Sequence, residues 1–330
     1  MTQPLELVCP AGTPAGLKTA VDAGAHSVYC GFRDETNARN FPGLNFDRAE
    51  MQEAAAYAHD RGARILIALN TFMRAGATDL WRRGVDDAVA AGADALILAD
   101  VDLVEYARKT HPKQRLHLSV QAAAATPEAI AFYRDRFGIA RVVLPRVLTV
   151  EEIARLTAHA APCETEVFVF GGLCVMAEGR CMLSSYATGK SPNMTGVCSP
   201  PSHVSYREDS DALVASVGGF TVELFERGEP AGYPTLCKGR FEAQGAVSHL
   251  FEDPVSLNAV ELLPRLAEIG VTAFKIEGRQ RGRAYISTVV RAFRSAIDAM
   301  AAGGKVDFDA LRALTEGQRE TVGAYKKAWR

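Results

Sequence analysis

Short apolar runs of strand length recur along this chain with helical stretches between them, and this alternation limits the folds open to it. The runs lie at residues 5–10, 27–32, 64–70, 95–100, 116–121, 141–146, 166–170 and 271–277. Helix start signals stand between them, such as Thr13-Pro14 and Thr126-Pro127, where a hydroxyl can cap the helix and proline can take its first position. Gly24, Gly62, Gly92, Gly138 and Gly270 stand where helices would end. Three of those corners repeat one phrase: Ala23-Gly24-Ala25, Arg61-Gly62-Ala63 and Ala91-Gly92-Ala93. Eight strands in β/α order predict an α/β fold, a modified (β/α)8 TIM-like barrel, with a doubly wound open sheet as the alternative.

The spacing is uneven in one place. Most strand starts fall about 20 to 40 residues apart, whereas the seventh and eighth are separated by roughly 105, which leaves room for an insertion of roughly 70 to 80 residues. The chain therefore divides into a barrel at residues 1–170 and 256–302, a cysteine-rich cap at 171–255, and a C-terminal surface helix or tail at 303–330. Strand-like runs are expected within the cap at 203–206, 213–217 and 221–225. A helix at 258–269 would return the chain to the barrel, and a long amphipathic helix is expected at 284–302. Trp81 and Trp329 are read as helix-surface or interface residues.

Of 330 residues, 48% are hydrophobic, enough for a sizeable core, and the net charge of -2 gives no overall basic field to draw nucleic acid. The N-terminus has no basic stretch followed by an apolar run, and no apolar segment approaches the roughly 20 residues that span a bilayer. A cytoplasmic protein without a membrane span is expected. In that reducing compartment, cysteines are more natural as metal ligands, reactive thiols or core residues than as disulfides. Cys174, Cys181, Cys198 and Cys237 follow the spacing C-x6-C-x16-C-x38-C, with no C-x2-C pair. Structural zinc sites build on such close pairs, whereas iron-sulfur clusters accept thiolates from scattered loops, so the spacing favours a cluster. Ordinary buried cysteines in an irregular cap are the alternative. Cys9, Cys30 and Cys163 read as core residues, Cys9 being the one expected nearest the barrel mouth.

Active sites of such barrels gather at the C-terminal ends of the strands. Several predicted strands end there in polar residues: Asn70, Asp100, Gln121, Arg146, Glu277 and, just beyond, Arg279. Asn70, Gln121, Arg146 and Glu277 are the candidate catalytic residues. Period-two alternation points His117, Ser119 and Gln121 inward on one strand and Ala273, Lys275 and Glu277 inward on the last. A polar internal network is the alternative, with Lys275 and Glu277 satisfying each other or neighbouring strands. The long loop after the second strand supplies Arg39, Asn40 and Asn45, which with Arg279 are the candidate substrate-binding residues, suited to a carboxylate or an oxygenated ring. A solvated lid is the duller reading. No H-E-x-x-H or G-x-S-x-G motif is present, and Gly189-Lys190-Ser191 lacks the first glycine of a phosphate-binding loop.

The run EVFVFGGLC, ending at Cys174, is followed after four residues by Gly179-Arg180-Cys181-Met182-Leu183-Ser184. This closely resembles the signature of the collagenase-like peptidase family, U32. The resemblance extends from VCPAG near the N-terminus, through VYCGFRDETNARNFPGLNF, to FKIEGRQR, and so covers most of the chain. It implies a [4Fe-4S] cluster on Cys174, Cys181, Cys198 and Cys237. The branch of the family it resembles implies an oxygen-independent hydroxylase subunit of ubiquinone biosynthesis, active as a heterodimer with a homologous subunit. The substrate so implied is a prenylated quinone precursor, delivered by a lipid-binding protein, with a prephenate-like oxygen donor. Phe170 stands where many members have histidine and Gly172 where the signature has serine or alanine, and both turn the reading away from proteolysis. Peptidase activity, a non-catalytic cluster-bearing scaffold and hydroxylation of an RNA base are the rivals.

Overall fold

The computed structural model describes residues 5–304, 315 and 320–326. Strands alternate with helices from the start: β1 (Glu6–Pro10), α1 (Pro14–Asp22), β2 (Ser27–Gly31), α2 (Arg48–His59), β3 (Arg64–Leu69), α3 (Asp79–Ala90) and β4 (Ala95–Leu98). The series continues with α4 (Val101–Thr110), β5 (Arg115–Leu118), α5 (Pro127–Phe137), β6 (Arg141–Val143), α6 (Val150–Ala160) and β7 (Glu164–Gly172). The chain then forms α7 (Leu183–Thr188), α8 (Pro192–Thr195), a three-stranded antiparallel sheet of β8 (Val204–Asp209), β9 (Ala212–Val217) and β10 (Phe220–Glu226), and a hairpin of β11 (Arg240–Ala243) and β12 (Ala246–His249). It returns through β13 (Ser256–Asn258), α9 (Leu263–Glu268), β14 (Ala273–Ile276) and α10 (Arg283–Ala301), and a last short strand, β15 (Glu320–Thr321), follows.

Strands β1 to β7 pair in sequence order, all parallel, and β14 pairs with both β1 and β7, closing an eight-stranded barrel. The open-sheet alternative is excluded. The helix signals act as read: Thr13 caps α1 through Gly16 N at 3.0 Å, Thr126 caps α5 through Ala129 N at 3.2 Å, and each helix has proline in its first turn.

The apolar residues fall in two layers. Residues such as Leu7, Cys9, Val28, Cys30, Ile65 and Ile67 pack outward against the helices. Inside the barrel a smaller set remains: Val8, Tyr29, Leu66, Ala68, Ala95, Ile97 and Ala273. Three alanines among these leave the barrel axis room for long polar side chains. Cys9 therefore lies between sheet and helices and not at the mouth, because its position in β1 is out of phase with the inward-facing Val8.

Three further expectations are corrected. Trp81 is fully buried, and its indole N–H donates to Thr71 Oγ1 at 2.8 Å, so α3 turns it inward. Asp100 is spent as the N-cap of α4, accepting from Asp102 N at 2.9 Å, and it also takes Met73 N at 3.0 Å. The return segment starts as strand: β13 pairs antiparallel with the end of β7 and carries β15 on its other side, so helical structure begins only at Val260, as a 3-10 turn (Val260–Leu262) that leads into α9. Most of the tail expected at 303–330, with Trp329, lies outside the described residues. Among the described residues no helix is long and apolar enough to cross a membrane.

Candidate functional site

The axis of the barrel is charged from its lower end upward. Glu6, at the start of β1, receives Arg64 at 2.9 Å and Arg141 at 2.6 Å, and Arg141 also holds Glu164 at 2.6 Å and Glu166 at 3.2 Å. Glu166 in turn binds Lys275 Nζ at 2.6 Å. Alternation places these residues inside because their neighbours, such as Val167 and Phe274, face the helices. Burial raises the Glu6 pKa, but hydrogen bonding and charge from Arg141 outweigh this and hold it below the usual carboxylate value. Burial pulls the Lys275 ammonium down, opposed by Glu166. The His117 pKa is lowered well below its ordinary value by burial and by the charge of Arg141, so the imidazole is neutral. Lys275 thus pairs with the neighbouring strand and not with Glu277. The polar inner rows are in this lower part an ion network.

Above Lys275 the axis opens into a cavity of about 50 Å³. Six sequence candidates line it: Asn70, Gln121, Arg146, Glu277, Arg39 and Arg279. Asn70 Oδ1 accepts from Ala38 N at 3.0 Å, and its amide reaches Ser119 Oγ at 3.4 Å. Gln121 lies just past β5 in a 3-10 turn that Ser119 caps. Arg279 donates to Asn37 Oδ1 at 2.9 Å, and burial pulls its pKa down to about 10. Glu277 Oε2 accepts from Gly172 N at 3.0 Å. Arg146 is fixed three ways: Nε donates to Glu178 Oε1 at 2.6 Å, Nη1 donates to Gly172 O, and the guanidinium lies 4.3 Å from the Phe168 ring centre. Burial lowers the Arg146 pKa, but the Glu178 charge outweighs it and the guanidinium stays charged.

Two sequence candidates do not line this cavity. Asn45 is buried at positive φ (73°), and its amide is used within the loop, donating to Arg39 O at 2.8 Å and accepting from Asn37 Nδ2 at 2.9 Å. Asn40 is half-buried outside the lining. The loop residue that does reach inward, Arg39, also donates to Gly196 O at 3.3 Å and so ties the loop to the segment after β7.

That segment forms a second cavity of about 50 Å³, lined by Cys174, Cys181, Cys198 and Cys237 together. Burial pushes the thiols of Cys174 and Cys237 up, to about 12 and about 11, and Cys198 is close enough to raise the pKa of each of the other three. The Leu183 N–H opposes this rise at Cys181, and the Thr235 hydroxyl opposes it at Cys237. Such donors toward sulfur suit thiolates that carry charge onto a metal. The sulfurs line a space and do not converge on one point: among the described residues no three His, Cys, Asp or Glu side chains are grouped to hold a single ion. Tetrahedral zinc would need sulfurs about 3.8 Å apart, from a bond of about 2.3 Å. Four thiols around one cavity are a donor set that could hold an iron-sulfur cluster.

The two cavities share Arg39, Gln121 and Glu178. Glu178 was not among the sequence candidates. The signal available for it was its place between two cysteines, in register with a charged partner that only the fold brings near. Gly189-Lys190-Ser191 forms no phosphate loop: Gly189 ends α7, and Ser191 caps α8.

The family model "Peptidase family U32" matches residues 12–325. The chain belongs to peptidase family U32. Its U32 relatives include tRNA hydroxylation protein P of Escherichia coli (strain K12), 31% identical over 94% of this chain and 71% of that protein. tRNA hydroxylation protein P1 of Bacillus subtilis (strain 168) is 32% identical over 92% of this chain and 65% of its own length. A 23S rRNA 5-hydroxycytidine synthase of Escherichia coli (strain K12) is 29% identical over 90% of this chain but only 40% of its own length. The U32 signature from Glu166 to Ser184 thus runs along β7, which lines the barrel, and into the wall of the cysteine cavity.

Proposed function

We propose that this U32 member is a hydroxylase subunit of the UbiU type, which adds a hydroxyl group to the aromatic ring of a prenylated quinone precursor without dioxygen. In this reading it works in the cytoplasm as a heterodimer with a UbiV-like homologous subunit and carries a [4Fe-4S] cluster on Cys174, Cys181, Cys198 and Cys237. The observation that carries the reading is the common wall of Arg39, Gln121 and Glu178 between the cysteine cavity and the polar barrel mouth. Relatives named for hydroxylation support the reaction class.

The roles follow from placement. Arg39 and Arg279 offer guanidinium groups to a carboxylate of a prephenate-like oxygen donor. Asn70, Gln121 and Glu277 set polar contacts to the ring, and Arg146 holds Glu178 and the end of β7 in place. When bound, the cluster supplies one-electron redox chemistry, four protein thiolates favouring outer-sphere transfer. The apolar tail of the substrate is left to a lipid-binding partner.

Hydroxylation of an RNA base is the second reading, favoured by the names of the relatives at 31% and 32% identity. Proteolysis is supported less: neither cavity is lined by a histidine among the described residues, so a hydroxyl or thiol there has no imidazole base beside it. Phe170, fully buried 5.4 Å from the Phe293 ring centre, occupies an apolar place that a catalytic histidine would not suit. The deciding experiment is an anaerobic assay of the chain with its homologous subunit, offered a prenylated phenol and unmodified tRNA in parallel. A gain of one oxygen atom in the phenol supports the proposal. A gain confined to tRNA transfers the same site to the second reading, and peptide cleavage alone would refute both.

A further inference from the structure

Glu178 is only 5% exposed, and one of its two carboxylate oxygens is used. Oε1 accepts from Arg146 Nε at 2.6 Å, whereas Oε2 is sealed from solvent and has no donor. Gln121, 7% exposed on the same wall, has an Oε1 that is equally without a partner. Buried acceptors are almost always paired, and a charged one most of all, so two orphans on a cavity wall mark a place where a ligand's donor belongs. Glu178 has no easy alternative. Arg146 is itself anchored by Gly172 O, so swinging Glu178 away would strand a buried guanidinium.

We infer that Glu178 and Gln121 form a hydroxyl-recognition edge: the O–H of a phenolic ring in the barrel mouth donates to Glu178 Oε2, with Gln121 Oε1 as the alternate acceptor. The inference rests on the ring-hydroxylase reading for the identity of the ligand. The rest of the ring then lies toward the apolar part of the same lining, Ala68, Ile97 and Val143. Because the edge belongs to the wall shared with the cysteine cavity, the hydroxyl-bearing side of the ring is turned toward that cavity. An aryl ether of the same shape has no donor, leaves both acceptors buried and unpaired, and is rejected.

The test is calorimetric titration of the anaerobically purified full chain with 2-prenylphenol and with its methyl ether, iron being measured in the same sample. The phenol is expected to bind at least about tenfold more tightly than the ether. Gln121→Met and Glu178→Gln should each narrow that ratio. Equal affinity for the two probes, no binding of the phenol, or an unchanged ratio in both variants would overturn the inference. Failure of the hydroxylase reading shows separately, as absent iron or absent oxygen transfer, and neither alters the affinity ratio of the unmodified chain.

Discussion

At Gly172 the backbone N–H donates to Glu277, and a Cβ built on this residue would lie 2.9 Å from Glu277 Oε2. Its neighbour Gly171 has φ of 109°, and a Cβ there would lie 2.3 Å from Glu277 O. The glycine at 172, a departure from the family signature on the page of the sequence, thus sets how closely β7 approaches the carboxylate at the mouth. Gly172→Ala is expected to displace Glu277 and cost about 1 to 3 kcal/mol of stability, measured by denaturant unfolding, with a larger fractional loss of activity. At this scale the sequence was partly legible. Polar residues at strand ends are legible by position alone, and six of the eight candidate site residues, Arg39 of the loop included, line one cavity. Asn45 lies apart from the cavity because an asparagine at positive φ serves its own loop, and Glu178 is not legible because its partner Arg146 is 32 residues away.

Strand β14 shows what alternation can and cannot reveal. It places Lys275 inside the barrel, but not that Glu166 on β7 stands 2.6 Å from it while Glu277 turns to Gly172. Lys275→Met would leave Glu166 with Arg141 alone and is expected to destabilise the chain by about 3 kcal/mol, whereas Lys275→Met combined with Glu166→Leu should cost less than the sum of the two single changes. Comparison of unfolding midpoints for the three variants checks this. The column also predicts a pH response. Glu6 has a lower pKa folded than unfolded, so the unfolded chain binds more protons in that window. Its contribution is fully present above about pH 4.5 and is lost as pH falls through the folded value; Glu6→Gln should flatten the acid limb of the stability profile. Strands β13 and β15 escaped the sequence because three and two residues are too few for a period to show.

The whole molecule is a closed barrel whose lower half is stiffened by ion pairs and whose mouth meets a cysteine cavity across three shared side chains. The barrel was legible because each β/α unit repeats one pattern. The meeting of the two cavities was not, since it depends on Arg39, Gln121 and Glu178 coming from three separate parts of the chain. The central claim is that the four cysteines of that cavity hold a cluster. Iron and sulfide analysis of anaerobically purified protein, with electron paramagnetic resonance of the reduced sample, tests it most directly. About four irons and four sulfides per chain are predicted, lost in Cys174→Ala and retained in Cys9→Ala. Stoichiometric zinc, or iron that survives Cys174→Ala unchanged, would contradict it.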